Sequence, residues 1–522
     1  MVSLARHPPE TARHRVTLAA LMALYLAVSL NHLAVVPPIH EDEAWQASVG
    51  WKLATEGVFG SDMFAGLGHA DERYYGFLPV HPLLLAATFR LAGLGLLQAR
   101  LETVLLGAAV LLLTYALGKR LWGPPVGLLA VAFLLLVRMD ATTPMTPTGI
   151  LFLDGPRISR YDVAVPVFEL AALLLFLIAR ERRSSSSAVF IYGGAGLLAA
   201  GAALSHVYGA FWIAVLLVLA LWDRAGVRNI AALVVGFLLP CLGYVAYVLQ
   251  DVAGWTAQTR AYSRRFDLLT PGWYVQNLGH ERSRYNPGRG DAMTWILRPG
   301  LWLGFGAVAA GLLMLARRAR SDFSARVVTL GGILLPILFA ALITMKTRNY
   351  KMAFLPMWAL AAAWLAHEIW SRVHMRRFTR AVLLLLAAAV VIEALGHTTA
   401  IAKAAATTTP YARFIQRVHA HVRPGERVLG LHAYWIGLED TDYHSWYVPT
   451  AHIETPPRKG AQLVIGTDPE VVLVDARMRS FLNQSASGDL RAQTVLEWLR
   501  PWSLVAVVDD STYGRMEIYR KR

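Results

Sequence analysis

The chain has 522 residues, of which 56% are hydrophobic and 16% are charged, and its mean hydropathy is +0.43. This composition excludes an ordinary soluble globular protein, which needs more polar surface. The formal net charge is +15, but the basic residues lie in short runs between apolar segments, as in cytoplasmic loops of membrane proteins. The sequence therefore predicts a polytopic α-helical protein of the cell membrane that contacts membrane lipids and no nucleic acid.

Many apolar segments approach the length of about 20 residues that crosses a hydrocarbon core as a helix. The N-terminal segment is predicted to be an uncleaved span, because its exit Val35-Val36-Pro37-Pro38 lacks a small-residue cleavage pattern. With the N-terminus in the cytoplasm, every inner loop is basic, as the positive-inside rule requires. The eleven predicted spans are 16–36, 99–118, 123–138, 161–179, 188–205, 207–222, 229–250, 296–316, 327–345, 352–369 and 380–396.

The segment His81–Leu97 allows two interpretations, a short span or a helix at the membrane interface. We predict an interfacial helix, because counting it as a span inverts every later loop. The transmembrane module then comprises residues 1–396, with outer loops at 37–98 and 251–295 and a short outer turn at 346–351.

Residues 397–522 change to a mixed polar and apolar composition, which predicts a small extracytoplasmic α/β domain. Its predicted strands are Arg427–Leu431, Glu470–Asp475, Ser503–Val508 and Met516–Tyr519, and its predicted helices are Tyr411–His421 and Leu490–Leu499.

The run His40-Glu41-Asp42-Glu43 follows the first span directly. Three carboxylates there could supply a general base, or bind a divalent metal with a nearby histidine such as His40, His69 or His81. Two other interpretations remain: a solvated loop, or acidic residues that open the helix containing Trp45–Leu53.

The predicted outer turn carries Lys346, Arg348 and Lys351 within six residues. Outer clusters of basic residues are unusual beside membrane spans, so an anionic ligand such as a lipid phosphate is one explanation. Snorkelling or contact with lipid headgroups is the alternative.

Arg160 and Asp162 open the fourth predicted span. Because residues two apart do not face each other on a helix, we expect them to serve different partners. Buried pairing with another span is the alternative interpretation.

These features resemble the GT-C superfamily of glycosyltransferases, most closely its group of protein O-mannosyltransferases and lipid A aminoarabinose transferases. The matching motifs are His40-Glu41-Asp42-Glu43-Ala44-Trp45, Leu78-Pro79-Val80-His81-Pro82-Leu83-Leu84, Arg160-Tyr161-Asp162, and Lys346 to Tyr350 followed by Leu355-Pro356. The likeness covers about residues 16–370, and the order of the motifs within the topology carries its specificity.

The resemblance implies transfer of a sugar from a polyprenyl-phosphate donor to a lipid, glycan or protein acceptor on the outer face. Asp42 would accept or position the proton of the acceptor hydroxyl, with Glu43 supporting it. The resemblance places Lys346, Arg348, Arg160 and Tyr350 at the donor phosphate, and His81 and Asp162 at the substrate. A divalent metal is implied near the proline motif, but His81 stands there in place of an acidic residue and leaves metal dependence open.

Two other classes compete with this interpretation. A lipid or glycan transporter would place ionisable groups near the middle of its spans, and a non-catalytic scaffold would use only its C-terminal domain. The predicted spans are nearly free of charge, while charged residues collect in the predicted outer loops. This distribution favours an enzyme that works at the membrane surface.

Overall fold

A computed structural model describes residues 9–183, 185–263, 265–285, 298–372, 377–452 and 457–522. Its first part is a helical bundle, and its last part is a small α/β domain. The helices of the bundle are α1 Ala12–Leu30, α2 Glu41–Glu56, α3 Val80–Ala92, α4 Leu96–Trp122, α5 Pro124–Leu136, α6 Leu151–Asp154, α7 Ala164–Glu181, α8 Ser187–Ser205, α9 Phe211–Trp222, α10 Val227–Leu249, α11 Val252–Ser263, α12 Pro271–His280, α13 Pro299–Arg318, α14 Phe323–Thr329, α15 Leu335–Leu342, α16 Leu355–Arg372 and α17 Arg377–Thr407.

Each of the eleven predicted spans overlaps one of these helices or a continuous helical run. In the described ranges, seven segments are long and apolar enough to cross a membrane: Leu96–Trp122, Tyr161–Glu181, Ser187–Ser205, Val227–Leu249, Pro299–Arg318, Phe323–Leu342 and Arg380–His419. The polytopic helical fold is therefore confirmed, while the orientation of the chain across the membrane stays a prediction. The helix α17 passes through residue 397, where the composition changes.

The first helix ends at Leu30, six residues earlier than predicted. Two buried arginines, Arg157 and Arg100, bind carbonyl groups in its last turn and in the residues that follow. Arg157 donates to the carbonyls of Val28, Ser29, Asn31 and Val36 at 2.7–2.9 Å. Such partners satisfy backbone acceptors that a helix end leaves open. The turn at residues 31–36 is thereby attached to the segment that precedes α7.

The segment predicted to lie at the interface forms α3, which has 13 residues. A helix of that length spans about 20 Å, less than the hydrocarbon core of about 30 Å. It packs against α2 at Gly50, where an added Cβ would lie 2.8 Å from the Leu85 side chain. The two helices form a short hairpin next to the first long helix, α4.

The C-terminal domain contains a five-stranded sheet of order β2-β1-β3-β5-β4, in which β1 pairs in parallel with β2 and β3 and the other pairs are antiparallel. The strands are β1 Arg427–Gly430, β2 Asp442–Ser445, β3 Val471–Val474, β4 Ser503–Asp510 and β5 Gly514–Arg520, and the helices are α18 Tyr411–His419, α19 Pro457–Gly466, α20 Ala476–Asn483 and α21 Leu490–Leu499. The α/β prediction is confirmed, with β2, α19 and α20 added.

One hydrophobic core joins the domain to the loop between α1 and α4. From the loop it includes Trp45, Phe64 and Tyr74, which are at most 4% exposed, and from the domain Tyr443 and Trp446, at most 3% exposed. Burial of large aromatic side chains is the main attraction between such surfaces. The domain is thus packed directly over the start of α2.

Candidate active site

The acidic run forms the first turn of α2. The His40 ring Nδ1 accepts a hydrogen bond from the Asp42 backbone N–H at 3.1 Å, and the His40 backbone N–H donates to Glu43 Oε2 at 2.8 Å. This reciprocal pair is a capping box, with histidine in the place usually held by serine or threonine. The interpretation of these residues as a helix start is confirmed, and the solvated-loop alternative is wrong.

Glu43 is fully buried and bound on both carboxylate oxygens. Arg100 of α4 donates to Oε1 from Nε and to Oε2 from Nη2, both at 2.8 Å, and the Ser159 backbone N–H donates to Oε1 at 3.0 Å. Arg100 also donates to the carbonyl of Leu33 at 2.8 Å. Glu43 therefore fixes the start of α2 against α4 and the 157–160 segment, and offers a substrate no exposed atom.

Asp42 points away from this buried pair, with 22% of its side chain exposed. Its Oδ2 lies 2.8 Å from Arg160 Nη1, and the same guanidinium donates through Nε to Asp162 at 2.9 Å. Arg160 and Asp162 do have different further partners, Asp42 and Tyr208, but the expectation that they do not face each other is wrong. Arg160 is extended (φ −147°, ψ 149°) and precedes the 3₁₀ turn Tyr161–Val163, so helical spacing does not apply to the pair.

A group of aromatic rings connects this acidic cluster to the turn at 346–351. Tyr208 donates to Asp162 Oδ1 at 3.0 Å, and its ring lies 4.8 Å from that of Tyr350. His206 stacks on Tyr161 at 4.6 Å and lies 5.4 Å from Tyr350. Burial, and then the neighbouring Arg160, lower the pKa of His206 to about 3, so its imidazole is neutral.

Lys346 does not point into the acidic cluster. Its Nζ lies 3.0 Å from Glu281 Oε2 and donates to the Ala340 carbonyl at 2.9 Å, near the end of α15. Glu281 also accepts from Arg284 Nε at 2.6 Å. Burial lowers the pKa of Lys346, although the Glu281 carboxylate opposes that shift. One carboxylate is therefore shared by two buried cations.

The other two cations of the turn bind the loop after α5. Lys351 is 3% exposed and forms an ion pair with Asp140, and Arg348 Nη1 donates to the Ala141 carbonyl at 3.2 Å. Convergence of Lys346, Arg348 and Lys351 on one point, as their spacing suggested, is not what the structure shows. Within the described ranges, Arg348 is the one cation of the three that forms no ion pair with a carboxylate.

His81 lies between α3 and α4, fully buried, with Nε2 3.3 Å from Glu102 Oε2. This position gives a substrate no access to the side chain. Across the described segments, no group of three His, Cys, Asp or Glu side chains could hold a metal ion. His40 lies 3.7 Å from Asp42, but the same carboxylate oxygen is paired with Arg160. The residues present do not fit the implied divalent metal.

Sequence reasoning missed four residues that shape the site: Arg100, Asp140, Glu281 and Tyr262. Two of these could have been found from the sequence. Asp140 is an acidic residue beside a predicted span, and Glu281 is an acidic residue within the basic loop 251–295. Tyr262 in α11 is close enough for the Asp42 charge to add to the burial that raises the pKa of its phenol. Arg100 gave no signal, because its partner Glu43 is 57 residues away.

Fold and site together define a polytopic membrane protein with a charged, aromatic-lined cluster between its helical bundle and a C-terminal α/β domain. No protein-family model matches the sequence, and no curated protein matches it either. Solved structures do match, and over nearly the whole chain they share its fold.

ArnT from Cupriavidus metallidurans bound to undecaprenyl phosphate matches with a TM-score of 0.60 and 14% identity, over 98% of each chain. An oligosaccharyltransferase from Archaeoglobus fulgidus, tethered with an acceptor peptide, matches with a TM-score of 0.58 and 12% identity, over 98% of this chain and 74% of that chain. AglB from the same organism, in complex with an inhibitory peptide and a dolichol-phosphate, gives 0.55 and 11%, over 97% of this chain and 74% of that chain.

Proposed function

We propose that the chain is a glycosyltransferase that moves a sugar from a polyprenyl-phosphate donor to an acceptor hydroxyl. The observation that carries this proposal is the connected path from Asp42 through Arg160, Asp162 and Tyr208 to Tyr350 in the basic turn. A proton acceptor and cations for a leaving group are thus brought to one end of the bundle. Support for the donor class comes from the similar structures bound to undecaprenyl phosphate and dolichol-phosphate.

In this proposal the acceptor oxygen attacks the anomeric carbon of the donor sugar, while the bond from that carbon to the phosphate oxygen breaks. The Asp42 carboxylate takes the proton of the attacking hydroxyl, and polyprenyl phosphate leaves with the bonding electron pair. Arg160 is already bound to two carboxylates, so we assign it the orientation of Asp42 in place of a direct phosphate contact. Asp162 holds Arg160 in turn, and Tyr208 donates a hydrogen bond to Asp162.

The leaving phosphate gains negative charge in the transition state and needs fixed positive charge nearby. Arg348 suits this task best, because its guanidinium donates to a carbonyl and not to a carboxylate. Lys346 and Lys351, in the same turn, would add positive electrostatic potential at the phosphate. Tyr350 would line the phosphate site. Reaction on the outer face follows from the predicted orientation, in which the C-terminal domain and this site share one side of the membrane.

Replacing Asp42 with asparagine tests the catalytic assignment. The Asp42→Asn protein should lose sugar transfer by about two to four orders of magnitude, the usual contribution of a general base, while it remains folded and binds donor. The measurement is release of polyprenyl phosphate from a panel of polyprenyl-phosphate sugars incubated with purified protein. Transfer at the wild-type rate would exclude Asp42 as the base, and transport of the intact lipid without transfer would favour the transporter class.

Donor binding tests the phosphate assignment, with opposite signs for two variants. Arg348→Ala should weaken donor binding by about 10- to 150-fold, since a charge-assisted hydrogen bond contributes about 1.5–3 kcal/mol. Glu281→Gln should strengthen it, because it removes the carboxylate that neutralises Lys346 and Arg284. Binding of a fluorescent polyprenyl phosphate measures both. Equal affinities in the two variants and the wild type would place the phosphate elsewhere.

A further inference from the structure

A cleft of 460 Å³ lies between the C-terminal domain and the start of α2, next to the catalytic helix. Its bundle side is formed by Glu41, the residue before Asp42, and its domain side includes Trp446, Tyr447, Arg477 and Gln484. The volume falls within the range of about 300–1,000 Å³ that is usual for small-ligand sites. The proposed mechanism uses none of these side chains.

The floor of the cleft is aromatic. The Trp446 ring stacks on Phe481 with centroids 5.2 Å apart, and Tyr447 meets Trp446 edge-on at 5.6 Å. Trp446 is 2% exposed, and its indole N–H has no hydrogen-bond partner among the described residues. A buried indole N–H normally finds a partner, and leaving it unpaired costs free energy. Its position in the cleft wall points to a ligand oxygen as that partner.

The charges around the cleft are already balanced. Glu41 forms an ion pair with Arg477, whose guanidinium lies 5.6 Å from the Tyr447 ring centre, and Arg491 is paired with Asp489 at 2.9 Å. A balanced rim gives little attraction to a phosphate or another strong anion. The uncharged polar groups of the lining include the Trp446 indole, the exposed Gln484 amide and the hydroxyl groups of Tyr447, Thr450 and Ser480. Such groups suit an uncharged ligand with several hydroxyl groups.

We infer that this cleft is an acceptor subsite and that it takes a neutral, hydroxyl-rich glycan. The inference rests on the proposed glycosyl transfer and names the acceptor class for it. Sugar rings present apolar faces that can contact the partly exposed Tyr447 ring, and their hydroxyls both donate and accept hydrogen bonds. A glycan held here places its end beside the first turn of α2, where Asp42 is oriented by Arg160.

Binding of the purified full-length protein to an array of neutral and sulfated oligosaccharides and short peptides tests the inference without catalysis. The wild type and Asp42→Asn should bind the same neutral glycans. Trp446→Phe keeps an aromatic ring but removes the indole N–H, and Gln484→Ala removes an exposed amide. Each variant should weaken this binding about five- to tenfold, the value of one hydrogen bond. Arg413→Ala, an exposed change on α18, is the matched control and should bind normally.

In transfer assays, Trp446→Phe and Gln484→Ala should raise the KM for the acceptor and leave donor binding unchanged. Binding only to sulfated glycans or peptides, or neutral-glycan binding that neither variant changes, would overturn the inference. Since Gln484 is exposed, its variant tests the site even if Trp446→Phe fails to fold. Loss of transfer in Asp42→Asn with no change in these variants would leave the proposed function standing and reject this subsite alone.

Discussion

Four neighbouring residues at the start of α2 do four different things. His40 caps the helix, Glu41 pairs with Arg477 of the C-terminal domain, Asp42 pairs with Arg160, and Glu43 is buried on Arg100. The difference between the last two carboxylates is exposure, since Glu43 has none and Asp42 keeps 22%. Of these two, Asp42 is therefore the one placed to meet a substrate, and Glu43 acts through the position of the helix.

This difference predicts that the two carboxylates contribute unequally to the stability of the folded protein. Glu43→Ala leaves the Arg100 guanidinium buried without its carboxylate, which should cost about 3–5 kcal/mol. Asp42→Asn, at a partly exposed site, should change stability by less than about 1 kcal/mol. Thermal unfolding in detergent would measure the contrast. Equal melting temperatures for the two variants would show that the buried pair does not hold α2 in place.

At the scale of elements, the loop between α5 and α6 supports the basic turn, because Asp140 binds Lys351 and the Ala141 carbonyl binds Arg348. The loop is closed by Asp154, which accepts from the backbone N–H groups of Thr148 at 3.1 Å and Gly149 at 2.8 Å. Gly149 has φ 68°, a conformation that favours glycine. Asp154, at the end of the short helix α6, thus fixes the loop that Lys351 and Arg348 bind.

The pKa of Asp154 carries a pH prediction. Burial raises it to about 7, with the hydrogen bonds and Arg157 opposing. A folded-state pKa above the unfolded value of about 3.9 means that the folded protein binds the extra proton. The resulting stabilisation is complete below about pH 4 and is lost as the pH rises through 7.

Asp154→Asn should remove this dependence. The melting temperature of the wild type, relative to that of the variant, should fall between pH 4 and pH 7. Other groups titrate in both proteins, so the difference between the two curves isolates Asp154. Parallel curves across this range would mean that Asp154 has the same pKa in the folded and unfolded chain.

At the scale of the whole molecule, the C-terminal domain and the loop before α4 share one core. A chain ending at residue 407 would expose Trp45, Phe64 and Tyr74, each of which contributes about 1.5–3 kcal/mol through burial. We expect a protease to cleave such a chain within residues 57–79, and we expect the chain to lose sugar transfer. Arg477→Ala in the full chain removes the ion pair to Glu41 and the contact with the Tyr447 ring but leaves the shared core in place, so this variant should resist the protease as the wild type does. Equal resistance of the shortened chain would make the domain an independent unit.

Local patterns in the sequence determined the membrane class, the positions of the long apolar helices and four of the five strands, since hydrophobic length and periodicity depend on near neighbours. The order of short motifs also carried a resemblance that predicted the fold shared with the similar solved structures. Which charges meet depended on tertiary structure: Glu43 and Arg100 are 57 residues apart, Asp140 and Lys351 are 211 apart, and Glu41 and Arg477 are 436 apart. Such pairs form only when packed helices bring distant segments together. The sequence therefore identified the charged residues, and only the fold decided which of these residues remain available to a substrate.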